Sequence, residues 1–263
     1  MNSTNSIETV ERAFAALAPA AGKPGADASP GLGGKLLYAG ELDQPGCALV
    51  VAANIGGAAT LAATGDPAAQ RQAVRDGVVD FLVTSLDEAL RILKNEIRKG
   101  ATVAVCVAAS PATVEREMIE RGVLPDLAFA GSEAEPRSPG EFGGHPECIR
   151  LEAADGSEAY LQWQVEESPA RWMPKLDAIA CGLVNENSWT GRWLRLAGRY
   201  CGRAAQGIRV LHCESEIVMR IMGGISEAVK RGEIAVPVHM GAIIDGQEVT
   251  AVASPAAEPP VES

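Results

Sequence analysis

An α/β fold on a doubly wound parallel sheet, followed by a second α/β segment, is what this sequence predicts, and three observations predict it. Short apolar runs with strand character (LLYA, TLAAT, VVDFLVT, TVAVCVAA, LAFA) alternate with segments of helical periodicity between Lys35 and Ala130. The helical segments carry their own start and stop signals, such as Ser85 with Glu88, Ser110 with Pro111, and stops at Gly100 and Gly122. Residues Lys35 to Thr64 read as strand, turn, apolar helix and second strand, the frame of a nucleotide-binding βαβ unit.

Each element follows from its residues. Ile7, Val10, Phe14 and Leu17 recur at helical spacing behind Asn5 and Glu8, so a short amphipathic helix opens the chain. The stretch 18–34, rich in Pro, Gly and Ala, reads as a flexible linker with no pattern to bury, which makes residues 1–34 a helix plus linker and starts the folded body near Lys35. A Rossmann-like domain over 35–135 comes next, with Leu86, Leu90, Leu93 and Ile97 on the inward face of its third helix. The pattern dissolves over 136–168, where CIRLEAADGSEAYLQWQV reads as a hairpin about Asp155-Gly156. A second α/β segment over 169–255 holds a helix from Trp189 to Ala205, the strand IRVLHC, a helix from Glu216 to Arg231, and IAVPVHM ending in a turn at Asp245-Gly246. Residues 256–263 form a tail expected to be disordered.

Bulk composition narrows the function. A net charge of -11 over 263 residues, with Lys and Arg dispersed, argues against a nucleic-acid surface or an anionic membrane face. The apolar stretch from Cys47 to Ala63 is broken by Asn54, Gly56 and Gly57, so it reads as a buried helix and strand rather than a membrane span. The six cysteines have no CxxC spacing, which points to reduced thiols in a cytoplasmic protein without a metal site. His145 and Cys148 in GGHPEC have no matching second half for a metal.

The turn of the βαβ frame is Gly40-Glu41-Leu42-Asp43-Gln44-Pro45-Gly46, where a working phosphate-binding turn uses glycines to bring backbone N–H groups onto a pyrophosphate. A carboxylate such as Asp43 at ~5 Å from a phosphate costs about 3 kcal/mol at a surface-like effective dielectric. Thr64 stands where an acidic residue would hold the ribose. The frame is present without its chemistry.

The stretch AGELDQPGCALVVAANIGGAATLAAT, followed by DFLVTSLDEALRI and ERGVLPDLAF, and later QGIRVLHC through EAVKRGEIAVPVHMGAIIDGQEVTAVASP, resembles the urocanase (urocanate hydratase) family. The resemblance implies the Rossmann-like fold, an NAD used as an electrophile to activate urocanate for water addition in histidine catabolism, and a homodimer. It also implies sites. Gly40, Gly46, Thr64 and Ser110 fall on the family's cofactor-binding positions, and Ser110-Pro111 and Gly131 to Glu135 depart from the family's motifs, as does Ala242-Ile243-Ile244. Cys213 matches the family's active-site cysteine if Gln206-Gly207 anchors the alignment, and Leu211 does if Arg209 anchors it.

These departures lead to two expectations. In the first, the chain is a shortened, divergent homologue with a degraded NAD turn, non-catalytic or repurposed for a small ligand or a protein partner. In the second, it is a hydro-lyase of the urocanate hydratase class that works with a urocanase-like partner chain, with Cys213 catalytic and NAD bound. Both allow a homo-oligomer. The cluster His212, Cys213, Glu214 and Glu216 is expected at the carboxyl edge of a parallel sheet, where a helix amino end lowers a thiol pKa. Opposed to it is the reading of Cys213 as a strand residue in the core, with the two glutamates complementing a helix dipole. His239 reads as a packed or exposed residue, and Trp163, Trp172, Trp189 and Trp193 as packing rather than pocket lining.

Overall fold

The computed structural model describes residues 3–22, 31–132, 142, 146–151 and 159–255. The chain divides into two compact units, Met1–Ala153 with Arg199–Gly202, and Ala154–Gly198 with Arg203–Ser263.

The first unit runs α1 (Ser3–Ala16), β1 (Leu36–Glu41), α2 (Gln44–Gly56), β2 (Ala59–Ala63), α3 (Pro67–Arg75), β3 (Phe81–Val83), α4 (Leu86–Lys99), β4 (Val103–Val107), α5 (Pro111–Glu120), β5 (Leu127–Ser132) and β6 (Glu147–Leu151). Its six strands pair in parallel in the order β3-β4-β2-β1-β5-β6. Alternation along the strands sends Leu36, Tyr38, Leu61, Val103 and Val105 to one face, where Leu86 and Leu93 of α4 and Val114 and Met118 of α5 cover them. Full burial of a side chain such as Leu93 stabilises the unit by roughly 2 kcal/mol. α2 packs on the other face, and α1 lies on α2 and β6. The sheet is thus covered on both faces, which is why β2 and β4 are buried along their whole length, with Thr60 their one hydroxyl residue.

Local signals place the helix ends. Ser85 Oγ accepts the Glu88 N–H, while the Glu88 carboxylate reaches back one residue beyond the cap to the Thr84 N–H, 3.0 Å away. Gly100 ends α4 at φ 64°. The start of the body differs from the sequence expectation. Ile7, Val10, Phe14 and Leu17 are buried as their spacing predicts, but so are Ala20 and Leu32, and Lys35 Nζ donates to the Ala20 carbonyl at 2.8 Å. Residues 1–34 are therefore not set apart at Lys35, because α1 supplies a cover that α2 needs; residues 23–30 lie outside the described set.

β6 brings a second correction. The expected hairpin about Asp155-Gly156 does not form: β6 joins the first sheet parallel to β5, whereas the next strand, β7 (Ala159–Gln164), belongs to the second unit's sheet. Asp155 and Gly156 themselves lie outside the described residues, as do residues 256–263.

The second unit continues with α6 (Pro169–Gly182), α7 (Trp189–Tyr200), β8 (Ile208–Cys213), α8 (Ser215–Lys230), β9 (Val238–Ile244) and β10 (Gln247–Ala253). α6 is not anticipated from the sequence: Pro174 in its interior argues against a helix, although Pro169 at its start is the same signal as Pro111 in α5. The helix expected to reach Ala205 stops at Tyr200, and Gly202, at φ 52°, leads into a 3₁₀ turn over Gly202–Ala205. The four strands pair antiparallel in the order β10-β9-β7-β8. Trp163, Trp172 and Trp193 are buried here, and Trp193 Nε1 donates to the Val210 carbonyl at 2.8 Å, so these three tryptophans serve the core.

No helix among the described residues is long and apolar enough to cross a membrane.

Candidate functional site at the carboxyl edge of the parallel sheet

From β1 the chain lays down β2, runs on to the edge strand β3, returns to place β4 between β3 and β2, and then crosses to the other side of β1 for β5, so the winding reverses between β1 and β5. Ligands of open α/β sheets bind outside the carboxyl ends of the strands at such a reversal. β1 and β5 pair only at Leu37↔Leu127 and Tyr38↔Ala128, and beyond Tyr38 the β1 register to β2 slips at Gly40. Gly40 adopts φ 69°, a left-handed conformation with open space around the position of a Cβ. The strands splay where the ligand of a dinucleotide domain would enter.

The amino end of α2 faces this place, and it is already occupied by the chain itself. Asp43 is the N-cap, and its Oδ1 accepts the Gly46 N–H at 3.0 Å. The carboxylate thereby takes the donor and the positive helix end that a pyrophosphate would require. Gly46 has a structural reason to be glycine: a Cβ there would lie 1.9 Å from the Glu41 carbonyl oxygen. Glu41 Oε1 accepts the Leu42 N–H at 3.2 Å, which adds a second carboxylate to the same rim.

Thr64 and Ser110 lie close by but are spent on turns. Thr64 is fully buried; its N–H donates to the Val107 carbonyl, and its Oγ1 accepts the Asp66 N–H at 3.2 Å. The Thr64 carbonyl accepts from Gln70 Nε2. Ser110 caps α5, with Oγ accepting the Thr113 N–H at 3.3 Å and 2.9 Å from Thr113 Oγ1. Gly65 packs beside Ser110, so the ends of β1, β2 and β4 bring Gly40, Gly46, Thr64 and Ser110 to one edge of the sheet.

Sequence reasoning missed the groups beneath this rim. Tyr38 lies under it, its hydroxyl 3.4 Å from the Pro111 carbonyl and its ring edge-on to Phe142 at 5.7 Å. Burial, then the carboxylates of Glu115 and Glu41, push its phenol well above the ordinary range. Glu115 of α5 is half-buried, and its carboxylate is the leading charge acting on Tyr38. Burial also pushes the Cys47 thiol up to about 12, with Asp43 as the next cause, and the Cys106 thiol up to about 11. These are resting thiols and a resting phenol, not nucleophiles at neutral pH.

These residues do not fit NAD held in the manner that the resemblance implies. The donor at the helix end is committed to Asp43, the ribose position holds a buried threonine committed to its own turn, and two carboxylates stand at the rim. The edge suits a neutral or cationic group better than a diphosphate.

Cys213 lies in the second unit, and its setting corrects the sequence reading. The strand it ends, β8, pairs antiparallel with β7, so Cys213 is not at the carboxyl edge of a parallel sheet. It is 7% exposed and shares a strand face with Leu211, two residues away, so either alignment of the active-site position gives a residue of the core face. Glu214 is the N-cap residue of α8 without a side-chain cap bond, and Glu216 lies in the first turn, as a dipole-complementing role expects. His212 packs tilted against Tyr160 with ring centroids 5.0 Å apart, His239 is exposed, Cys148 is exposed, and His145 lies outside the described residues.

Residues 14–135 match the family model described as the urocanase Rossmann-like domain. The match begins within α1 rather than at Lys35, in keeping with the burial of Phe14, Leu17, Ala20 and Leu32. With the parallel sheet and its reversal between β1 and β5, residues 14–135 are a Rossmann-like domain similar to that of the urocanase family.

Proposed function

We propose that this urocanase-like protein keeps the Rossmann-like domain as a scaffold and no longer uses it to hold a dinucleotide, so that it does not hydrate urocanate and acts instead by binding. The observation that carries this reading is the 3.0 Å hydrogen bond from the Gly46 N–H to Asp43 Oδ1, which closes the α2 amino end with the chain's own carboxylate. The ligand that suits the edge is a small neutral or cationic molecule, recognised by Glu41 and the open backbone around Gly40 rather than by phosphate contacts. Packing of this kind survives the loss of chemistry, because the core of β1, α2 and β2 does not depend on a cofactor.

Mass spectrometry of small molecules released by denaturing freshly purified protein tests the proposal, together with a urocanate turnover assay with the protein alone and mixed with a full-length urocanase. The expected result is no NAD and no turnover attributable to this chain. Stoichiometric NAD would overturn the reading and favour the hydro-lyase. A neutral or cationic compound released in stoichiometric amount would identify the ligand.

A further inference from the structure

Along the whole chain Lys and Arg are dispersed, but residues 169–209 depart from that pattern. They include seven basic and two acidic residues, a net charge of +5 in a chain of net -11, which leaves -16 on everything else. Of the two acids, Asp177 is committed to Arg209 at 2.7 Å. Glu186 is exposed, and it is its backbone carbonyl that accepts from Arg195. Arg171, Lys175, Arg195 and Arg203 are all exposed, and among the described residues none of the four is ion-paired, not even with Glu166 or Glu167 just before α6. Cations on other helices are neutralised locally, Lys99 by Glu96, Arg121 by Asp87 and Glu117, and Arg220 by Glu216.

The path of the chain gathers these cations. α6 and α7 are joined by residues 183–188 and run back along one another: a Cβ at Gly198 would lie 3.7 Å from Asp177 Oδ2, and one at Gly207 would lie 3.3 Å from the Pro169 Cβ. Arg203 falls between those two glycines, hence opposite the first turns of α6, where Arg171 and Lys175 stand. Both of these cations lie over the Trp172 ring, at 4.5 and 4.7 Å from its centroid, so the indole holds two like charges side by side. Arg195 lies farther along the pair, near Cys181 of α6.

We infer that the α6–α7 surface centred on Arg171, Lys175 and Arg203 docks a short acidic segment, rich in Asp and Glu, of a partner protein. Charge complementarity sets the sign of the partner, and guanidinium groups pair with carboxylates through two parallel N–H bonds. The rest of the molecule sets the length: a charge of -16 elsewhere repels a long polyanion or an anionic membrane plane, whereas a few carboxylates can engage the basic surface alone. Single-stranded nucleic acid needs exposed rings on which bases stack, and here Trp172 and Trp193 are buried and Trp189 and Tyr200 half-buried. This inference stands apart from the ligand edge of the first unit.

Titration of fluorescein-labelled deca-glutamate with the full chain, read by fluorescence anisotropy at low salt, tests it. Wild type should bind saturably and lose affinity as salt is raised. Arg171→Glu with Lys175→Glu should weaken binding on the order of ten-fold or more, and Arg203→Glu, which disturbs no ring contact, should weaken it several-fold, with circular dichroism checking the fold of each. Arg91→Glu with Lys94→Glu on α4 changes the net charge as much as the first pair does and should leave the affinity near that of wild type. Labelled deca-thymidylate and phosphatidylserine vesicles should bind more weakly than the peptide. No binding by wild type, equal losses in the α6 and α4 pairs, an Arg203→Glu protein that binds as wild type does, or tighter binding of deca-thymidylate or vesicles would each overturn the inference.

Discussion

Asp43 Oδ1 and the backbone nitrogen of Gly46 are 3.0 Å apart at the first turn of α2, a cap that turns the phosphate end of a nucleotide-binding unit into a self-contained helix start. The bond uses a donor that the fold otherwise leaves free for an anion.

Asp43→Ala should destabilise the protein by about 1 kcal/mol through loss of this cap, while Asp43→Asn, which retains an acceptor of the same reach, should change stability little. Urea denaturation followed by tryptophan fluorescence and far-ultraviolet dichroism measures both. Equal losses in the two variants would show that the charge of Asp43, not its cap bond, is what counts.

Gly46→Ala and Gly40→Ala should differ sharply. At Gly46 the new Cβ meets the Glu41 carbonyl at 1.9 Å, backbone that cannot yield, so the loss should reach about 3 kcal/mol or more. At Gly40 there is open space and the cost is only that of a left-handed φ of 69°, about 1 kcal/mol. Thermal unfolding of the two proteins side by side decides it, and similar midpoints would mean that α2 shifts to relieve the clash.

Stability should fall on the alkaline side. The folded state holds Cys47 up to about 12 and Cys106 up to about 11, both from 9.0. Above pH 9 the unfolded chain loses these thiol protons while the folded chain keeps them, so ionisation favours unfolding until the folded-state values are reached. A Cys47→Ser, Cys106→Ser double variant should therefore lose less stability than wild type between pH 9 and 11. Exposed Cys148 should react with a maleimide well before half-buried Cys47 or buried Cys106.

In the second unit, Arg209 donates to the carbonyls of Ala205 and Ile208 and to Asp177 Oδ2 at 2.7 Å, and burial lifts the Asp177 carboxyl above its ordinary range against the pull of Arg209. Asp177→Ala leaves a guanidinium only 4% exposed without its counter-ion and should cost about 3 to 5 kcal/mol. Asp177→Ala combined with Arg209→Met should recover part of that loss in a denaturant titration; a single variant as stable as wild type would show that water reaches the guanidinium.

Much of this protein is legible from short-range chemistry. Ser85 with Glu88, Ser110 with Pro111, the Gly100 stop and the spacing of Leu86, Leu90, Leu93 and Ile97 each involve groups a few residues apart, and the structure places all of them in the roles their spacing implies. The loss of glycines between Gly40 and Gly46 is equally plain in the letters. That Asp43 itself fills the vacated helix end is not, because a cap bond depends on the backbone angle that the chain takes after β1.

The sequence by itself determined the alternation of strands and helices, the apolar faces and the missing phosphate chemistry, since these rest on residue type and local period. Only the tertiary structure decided that β6 leaves its sequence neighbour β7 to pair with β5, and that Cys213 ends an antiparallel strand. Strand pairing and burial are settled by contacts between distant residues, and competing partners for an apolar strand look alike until the whole core is packed.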